Sequence, residues 1–558
     1  MLLEEVSIRI AGLTGLGVEF TTEVIVDACA KRGLHVYTYR FFPTIVRGGY
    51  TFSDIRISCR KTSSPPDEIN ILGALSKEGL RDVDKILSKD ALIIIDEEVD
   101  VSQSVCKHVI QIPIGKLSRE LKTRMNMILL GFLSGLLNLD FEVVTEILRK
   151  KKISEFESNL RGLKKGIRIF EESGLEKIVV KSYGGVKSVI RGSDLVALGA
   201  LYAGCKFFAG YPITPATSIM EALMNWIPEL GGVAVQVEDE LAAINMVIGA
   251  SYAGARAMTV TSGPGFSLMA EGIGFAGMAG IPVVIVDVQR VGPSTGLPTA
   301  HEQSDIDIAT HPSHGDIPRI VLAPSTIEEY YTFTVKSFQL SEKYRAPVIL
   351  LLDQSYTLNY QTIDKIRNPE VYSYRVSIES SGDSIEVYPY YDSEWVPSPP
   401  SKRLLIVASS VEHDYRGFSV QDGEIHASMS DKRLGKLREL EENPVDWEVV
   451  GDVDGREVFI TIGCCRAAVE EACSRLSKNG RRFKHIPLKQ LWPIPRKLRE
   501  ELREAEVVYV VEQNASGQVL RLISKEIPEN CIVKSVRRYD GQPLRSRDIV
   551  EVLRDGSG

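Results

Sequence analysis

Gly210-Tyr-Pro-Ile-Thr-Pro215 is the stretch of this sequence whose residue types and spacing best suit chemistry. It comes directly after the strand-like KFFA and before a helical pattern. A Pro-x-Thr-Pro turn at the carboxyl end of a parallel strand sets a rigid loop in the crevice where open α/β sheets bind ligands. Thr214 then either presents its hydroxyl there or caps a helix between prolines that stiffen the turn. Other groupings carry less. The amino-terminal GLTGLGV is spaced GxxGxG, not the GxGxxG of a dinucleotide fingerprint, and the next strand ends in Tyr39 and Arg40 instead of an acid for a ribose hydroxyl. It reads as a packed turn. His301, His311 and His314 share a loop without helix spacing and read as polar loop residues. The eight cysteines, at 29, 59, 106, 205, 464, 465, 473 and 531, include no CxxC pair, so the spacing of an iron–sulfur or structural zinc site is missing. Most of them are expected to be isolated buried thiols, and no metal is expected on this chain.

At 558 residues the chain is too long for a single core. Its 44% hydrophobic and 25% charged residues are those of a globular protein. A net charge of -8 argues against a nucleic-acid binder, which needs clustered positive surface. The longest apolar stretch, near Ile128 to Leu139, is too short to span a bilayer and contains Asn138. The start, MLLEEVSIRIAG, lacks the basic and then apolar run of a secretory signal, so a cytoplasmic protein is expected, with no membrane and no nucleic acid among its partners.

Three runs of alternating strand and helix patterns would position these residues. In the first, strands are expected at Val6 to Ile10, Val36 to Tyr39, Ile55 to Ser58 and Ala91 to Asp96, with helices at Thr21 to Lys31, Met125 to Leu137 and Phe141 to Lys150. In the second, strands at Lys206 to Ala209, Ala257 to Thr261, Val283 to Val288 and Val348 to Asp353 alternate with helices such as Ser218 to Trp226 and Asp239 to Ala253, the rhythm of parallel βα units. The stretch from Asn368 to Lys402, ending in PSPPSK, suggests a linker. Beyond it, strands at Leu404 to Ala408, Val458 to Ile462, Phe483 to Pro487 and Val507 to Glu512 suggest a third parallel domain. The charged run Asp431 to Glu442 reads as a solvated helix.

GYPITPA resembles the YPITP signature of 2-oxoacid:ferredoxin oxidoreductase alpha subunits. The similarity runs on through VQVEDELAAINMVIGASYAGARAMTVTSGPGFSLMAEGIG, IPVVIVDVQRVGPSTGLPT and HGDIPRIVLAPST. SSVEHDYRGF, KRLGKLREL, LKQLWPIP and EQNASGQVLRLI extend it, and Ile8 to Ser58, with GLTGLGV and RGGYTFSDIRIS, resembles the gamma subunit. The resemblance implies an α/β chain of three parallel-sheet domains: a gamma-like catalytic domain over 1–185, a thiamine diphosphate pyrimidine-binding domain over 186–400 and a transketolase C-terminal-like domain over 401–558.

Glu238 followed by Thr261-Ser-Gly-Pro-Gly265 also resembles the pyrimidine domain of thiamine diphosphate-dependent decarboxylases and acetohydroxyacid synthases, which place an activating glutamate one helix before such a loop. That implies Glu238 as the catalytic acid at N1' of the aminopyrimidine, with Ser262, Gly263 and Pro264 also binding the cofactor. Glu240 is its neighbour and rival, and both acids also suit the first turn of a helix. The family further implies that Thr214 and Arg290 hold the substrate carboxylate, with Tyr211 shaping the pocket. A guanidinium fork suits that task better than the alternative for an arginine there, a surface or subunit-interface salt bridge. After GPSTGLPT many relatives carry Arg or Lys where this chain has Ala300 and then His301, which implies a lost basic contact.

No Gly-Asp-Gly segment for magnesium and diphosphate occurs. The resemblance therefore implies a beta subunit carrying Mg2+ and the iron–sulfur clusters, thiamine diphosphate shared between the two, coenzyme A as cosubstrate, ferredoxin as acceptor, and a heterodimer or a dimer of heterodimers. The expected reaction is oxidative decarboxylation of a 2-oxoacid such as pyruvate to acyl-CoA. A non-oxidative thiamine diphosphate decarboxylase or carboligase, and a non-catalytic assembly subunit, are the alternatives.

Overall fold

A computed structural model describes residues 2–43, 49–101, 108–377, 386–388, 396–398, 404–477 and 480–555. Cys106, the Arg47-Gly48 start of RGGYTFSDIRIS and most of the PSPPSK end lie outside the described residues. The chain is α/β, with sheets that are mostly parallel, and divides into two compact units. One comprises 1–191, 359–365 and 545–547, and the other 192–358, 366–544 and 548–558.

The first unit is built on an eight-stranded sheet, in the order His108–Ile112, Leu87–Asp96, Ile69–Ala74, Glu5–Leu13, Tyr50–Ser58, His35–Phe41, Tyr360–Ile363 and Ser188–Arg191. The first four strands are parallel, and every later junction is antiparallel. The expected all-parallel arrangement therefore holds for half of this sheet. His35–Phe41 and Tyr50–Ser58 are joined by a connection too short for a parallel crossover. Arg9 and Asp54 face each other across two of these strands, bonded at 2.6 and 2.8 Å and buried. A charge pair so enclosed is costly to break, which opposes slippage of the register. GLTGLGV is packed only where it meets the helix: Gly17 has a φ of 85°, and a Cβ there would lie 2.5 Å from the Asn126 amide nitrogen, whereas Thr14 and Gly15 are exposed.

The second unit carries two large sheets. The seven-stranded one runs Val233–Gln236, Phe207–Gly210, Ala257–Thr261, Val284–Gln289, Val348–Asp353, Ile320–Leu322 and Gln490–Trp492, parallel except for the last. The five-stranded one runs Val450–Gly451, Phe483–Pro487, Glu457–Thr461, Val507–Glu512 and Ile532–Arg537. One hydrophobic core serves both, with Ile285, Val321 and Ile349 of the first sheet clustered with Val458, Ile460 and Val508 of the second. Leu404–Ile406 does not join the five-stranded sheet but pairs with Glu386–Tyr388. Ile532–Arg537 takes an edge of that sheet instead, and its mostly exposed face explains its weak apolar signal. The charged run also departs from expectation. It spans parts of two helices, Gly423–Gly435 and Arg438–Glu442, and Arg433 is buried, forking onto Glu412 at 2.9 and 2.8 Å.

Glu342, near the end of the helix Ile327–Tyr344, is 1% exposed. Arg256 donates to it at 2.9 and 2.6 Å and Arg375 at 2.7 Å. Burial pushes its carboxyl upward, but bonds and charge from the two arginines outweigh this and hold it below the usual glutamate range. Its contribution to stability is therefore present above the ordinary value of about 4.3 and lost as pH falls through the lowered folded value. Glu342→Gln should cost about 3–5 kcal/mol, the usual loss when one partner of a buried ion pair is removed. Urea unfolding of wild type and variant across pH checks both statements: the variant should show the deficit at neutral pH and a weaker loss on acidification.

Candidate active site

The loops singled out in the sequence start where parallel strands of the seven-stranded sheet end. Gly210 to Pro215 follows Phe207–Gly210, Glu238 and Glu240 follow Val233–Gln236, Ser262 to Gly265 follow Ala257–Thr261, and Arg290 follows Val284–Gln289. All lie at the carboxyl edge, where open α/β sheets bind ligands.

Thr214 and Arg290 meet, through the threonine backbone: Arg290 Nη1 donates to the Thr214 carbonyl at 2.6 Å, while the Thr214 residue is exposed. Arg290 is 6% exposed, and its Nε is buried without a partner. Burial lowers its pKa from the usual arginine range, opposed by the charges of Asp305 and Asp287. The guanidinium borders a cleft of 540 Å³, which Gly263, Pro264, Glu302, Asp305, Asn514 and Gln518 also line. Gln518 Nε2 donates to the Ser304 carbonyl at 2.9 Å and Asn514 Nδ2 to the Gln303 carbonyl at 3.1 Å, so the EQNASGQ segment is fastened along the cleft wall.

Glu238, Asp239 and Glu240 divide three tasks. Asp239 caps the helix Glu240–Tyr252, accepting from the Ala242 N–H at 2.8 Å. With the cap fixed, Glu238 is left exposed and Glu240 is turned inward, 5% exposed. Burial raises the Glu240 carboxyl above the usual glutamate range, its own backbone N–H opposing and Asp239 adding to the effect. It stands against the short helix Gly263–Leu268: a Cβ on Gly265 would lie 2.3 Å from Glu240 Oε1 and 2.2 Å from Thr261 Oγ1, so that approach requires glycine. The hydroxyls of Thr261 and Ser262 are buried without partners. Of the residues singled out, Thr214, Arg290, Gly263 and Pro264 gather at or beside the cleft. Ser262 is buried next to Gly263, whereas Glu238 and Tyr211, the latter 39% exposed, face outward.

Three further acids belong to the site. Asp287 is buried in the strand that leads to Arg290. Burial and the nearby Asp305 push it well above the aspartate range, against the Gly263 N–H and the Arg290 charge. Asp305 is raised to about 7 by burial, with Arg290 opposing and Glu302 adding. Glu302 is raised chiefly by its own burial. An acid inside the apolar run VIVDVQ, and the HEQSD segment, were signals available in the sequence. His301, expected to be a polar loop residue, is 1% exposed, while His311 and His314 are exposed.

Two stretches of the chain match families of known proteins. The family described as "Pyruvate flavodoxin/ferredoxin oxidoreductase, thiamine diP-bdg" matches residues 198–386, and "Pyruvate ferredoxin/flavodoxin oxidoreductase" matches residues 7–169. The 2-oxoglutarate synthase subunit KorA of Methanocaldococcus jannaschii is 38% identical over 352 residues, covering 62% of this chain and 94% of that protein. The 2-oxoacid:ferredoxin oxidoreductase subunit alpha of Saccharolobus solfataricus is 28% identical over 98% of this chain and 97% of its own. Among solved structures, 2-oxoglutarate:ferredoxin oxidoreductase from Magnetococcus marinus, with 2-oxoglutarate, coenzyme A and succinyl-CoA bound, superposes with a TM-score of 0.90 at 33% identity, covering 99% of both chains. No helix among the described residues is long and apolar enough to cross a membrane.

Asp305 gives the arrangement a measurable signature. A carboxyl with a raised folded pKa contributes stability that is fully present below its ordinary value, about 3.9, and is lost as pH rises through about 7. Asp305→Asn does not titrate, so thermal-unfolding scans should show a flatter dependence on pH between about 4 and 7 than wild type. Parallel curves would show that Asp305 is not the group titrating there.

Proposed function

The chain belongs to the 2-oxoacid:ferredoxin oxidoreductase family, and from this we propose how its residues and a partner subunit share one reaction. The chain is a subunit of that coenzyme A-dependent oxidoreductase and contains its thiamine diphosphate-binding domain. The reaction is oxidative decarboxylation of a 2-oxoacid to acyl-CoA and CO2. In the proposed division, electrons pass through iron–sulfur clusters on a beta-type partner to ferredoxin. That partner also supplies the Mg2+ and diphosphate clamp, for which this chain has no Gly-Asp-Gly segment.

The single observation that carries the residue assignment is the buried Glu240 carboxyl held against Gly265 at the same sheet edge as the Arg290–Thr214 pair. This setting fits an aminopyrimidine: the acid is shielded from water, and its burial raises it above the usual glutamate range, toward the values suited to exchanging a proton with a ring nitrogen. When bound, thiamine diphosphate supplies the carbon that adds to the 2-oxo group and stabilises the charge left when CO2 departs. Glu240 holds and returns the proton at N1', with Ser262 and Gly263 as the flanking loop. Its burial favours it over the exposed Glu238, which the resemblance had singled out. Arg290, oriented by the Thr214 carbonyl and with Nε unpaired, fixes the substrate carboxylate.

In the assembled complex, Glu240→Gln should slow exchange of the cofactor C2 proton by about 10²- to 10⁴-fold, and Glu238→Gln should leave it near wild type. NMR exchange rates measure both, and the reverse pattern would return the role to Glu238. Arg290→Lys keeps the charge and loses the fork, so kcat/KM should fall to a similar extent for pyruvate, a branched 2-oxoacid and 2-oxoglutarate. A fall confined to 2-oxoglutarate would mean that Arg290 reads a distal carboxylate.

A further inference from the structure

We propose that His301, Asp353 and Cys464 form a binding site for a borderline-soft divalent cation of the Zn2+ class, at the joint between the two large sheets of the second unit. The three residues come from separate elements. His301 lies in the segment after the strand Val284–Gln289, Asp353 ends the strand Val348–Asp353, and Cys464 sits in the turn between Glu457–Thr461 and the helix Cys465–Ser477. One ligand atom from each falls within 4.8 Å of the other two, and Cys464 Sγ is 3.3 Å from His301 Nε2. Zinc–ligand lengths of about 2.0–2.3 Å place tetrahedral ligand atoms roughly 3.3–3.8 Å apart. The sulfur–nitrogen pair already has that spacing, and a movement of roughly 1 Å brings in the carboxylate.

The donor set selects the metal. Imidazole and thiolate beside one carboxylate oxygen suit Zn2+, whereas Mg2+ and Ca2+ require oxygen shells. The site is also built rather than incidental. Asp353 is 2% exposed, and among the described residues no ion pair to its carboxyl group is present. Its two oxygens accept from Gln303 Nε2 at 3.0 and 3.1 Å, and Oδ2 accepts from the Cys464 N–H at 2.6 Å. Such outer contacts fix a carboxylate in one orientation and leave further lone pairs for a metal. Gly463, with a φ of 50°, makes the approach possible: a Cβ there would lie 1.9 Å from Asp353 Oδ2.

Three protein ligands leave a fourth position, for water or for the adjacent Cys465, whose Sγ lies 3.3 Å from Gln303 Oε1. A cation here would tie the strand end at Asp353 and the segment at His301 to the turn of the neighbouring sheet. Its role is structural, and it requires no step of the oxidoreductase reaction.

The test uses the full chain with its partner subunit, reduced and stripped with a chelator, and titrated with Zn2+ or Co2+ alone. Wild type should retain one Zn2+ per chain through gel filtration, and its Co2+-loaded minus metal-free difference spectrum, in which the partner's own absorption cancels, should show visible bands of a four-coordinate ion together with a near-ultraviolet thiolate charge-transfer band. Cys464→Ser should abolish that band, and Cys464→Ser and His301→Gln should each weaken Zn2+ binding by about 10-fold or more, while Cys473→Ser leaves it unchanged. Two ligand variants guard against one failing to fold, and metal content is read independently of turnover. Retention below about one tenth of an equivalent, or binding that neither ligand variant alters, would overturn the proposal.

Discussion

Parallel pairing is the constraint on which this site depends. Six neighbouring strands of the seven-stranded sheet run the same way, so every turn after a carboxyl end is delivered to one edge. Residues far apart in sequence, from Gly210 to Arg290, therefore share a neighbourhood without any loop having to reach far. Parallel strands must also be covered on both faces. Here one core extends from that sheet to the five-stranded sheet, which brings Asn514 and Gln518 to the cleft wall.

Electrostatics then separates the acids at the edge. Arg290 is a single guanidinium among Asp287, Glu302 and Asp305, and all three acids are raised. Several buried carboxyls cannot all stay ionised beside one cation, so the cluster holds protons that an exposed group would release. Arg290 is thus incompletely neutralised and keeps an unpaired Nε, which leaves it able to take an incoming carboxylate. Glu240 is raised by a separate route, burial against a glycine helix with Asp239 beside it.

Much of this was legible in the sequence, because βα rhythm and turn chemistry are local signals. The strand Ala257–Thr261 and the strand Val348–Asp353 fell on their expected bounds, and the Gly210–Pro215 turn opened at a strand end. What escaped depends on tertiary burial. Spacing does not tell which of Glu238 and Glu240 is buried, since both suit a first helical turn; Asp239 takes the cap and its two neighbours turn to opposite sides, Glu240 inward and Glu238 outward. The antiparallel half of the first sheet and the edge strand Ile532–Arg537 were hidden for a related reason. Pairing partners and exposed edges leave little trace in apolar periodicity.

The segment His301 to Asp305 shows how the two sheets and the cleft are mechanically joined. His301 and Gln303 point to the joint, where Gln303 grips Asp353 and its N–H bonds the Gln513 carbonyl at 2.6 Å. Glu302 and Asp305 border the cleft, and Ser304 donates to the Arg290 carbonyl at 3.2 Å. His301 and Gln303 thus serve one side and Glu302 and Ser304 the other, while Asp305, with φ -101° and ψ 9°, leaves the alternation and turns to the cleft as well. A one-residue slip would exchange the residues at the joint for Glu302 and Ser304 of the cleft, as it would in any extended segment with two faces. Whatever fixes the joint therefore also fixes the register of the cleft acids, and that register in turn determines how closely Asp305 can approach Arg290.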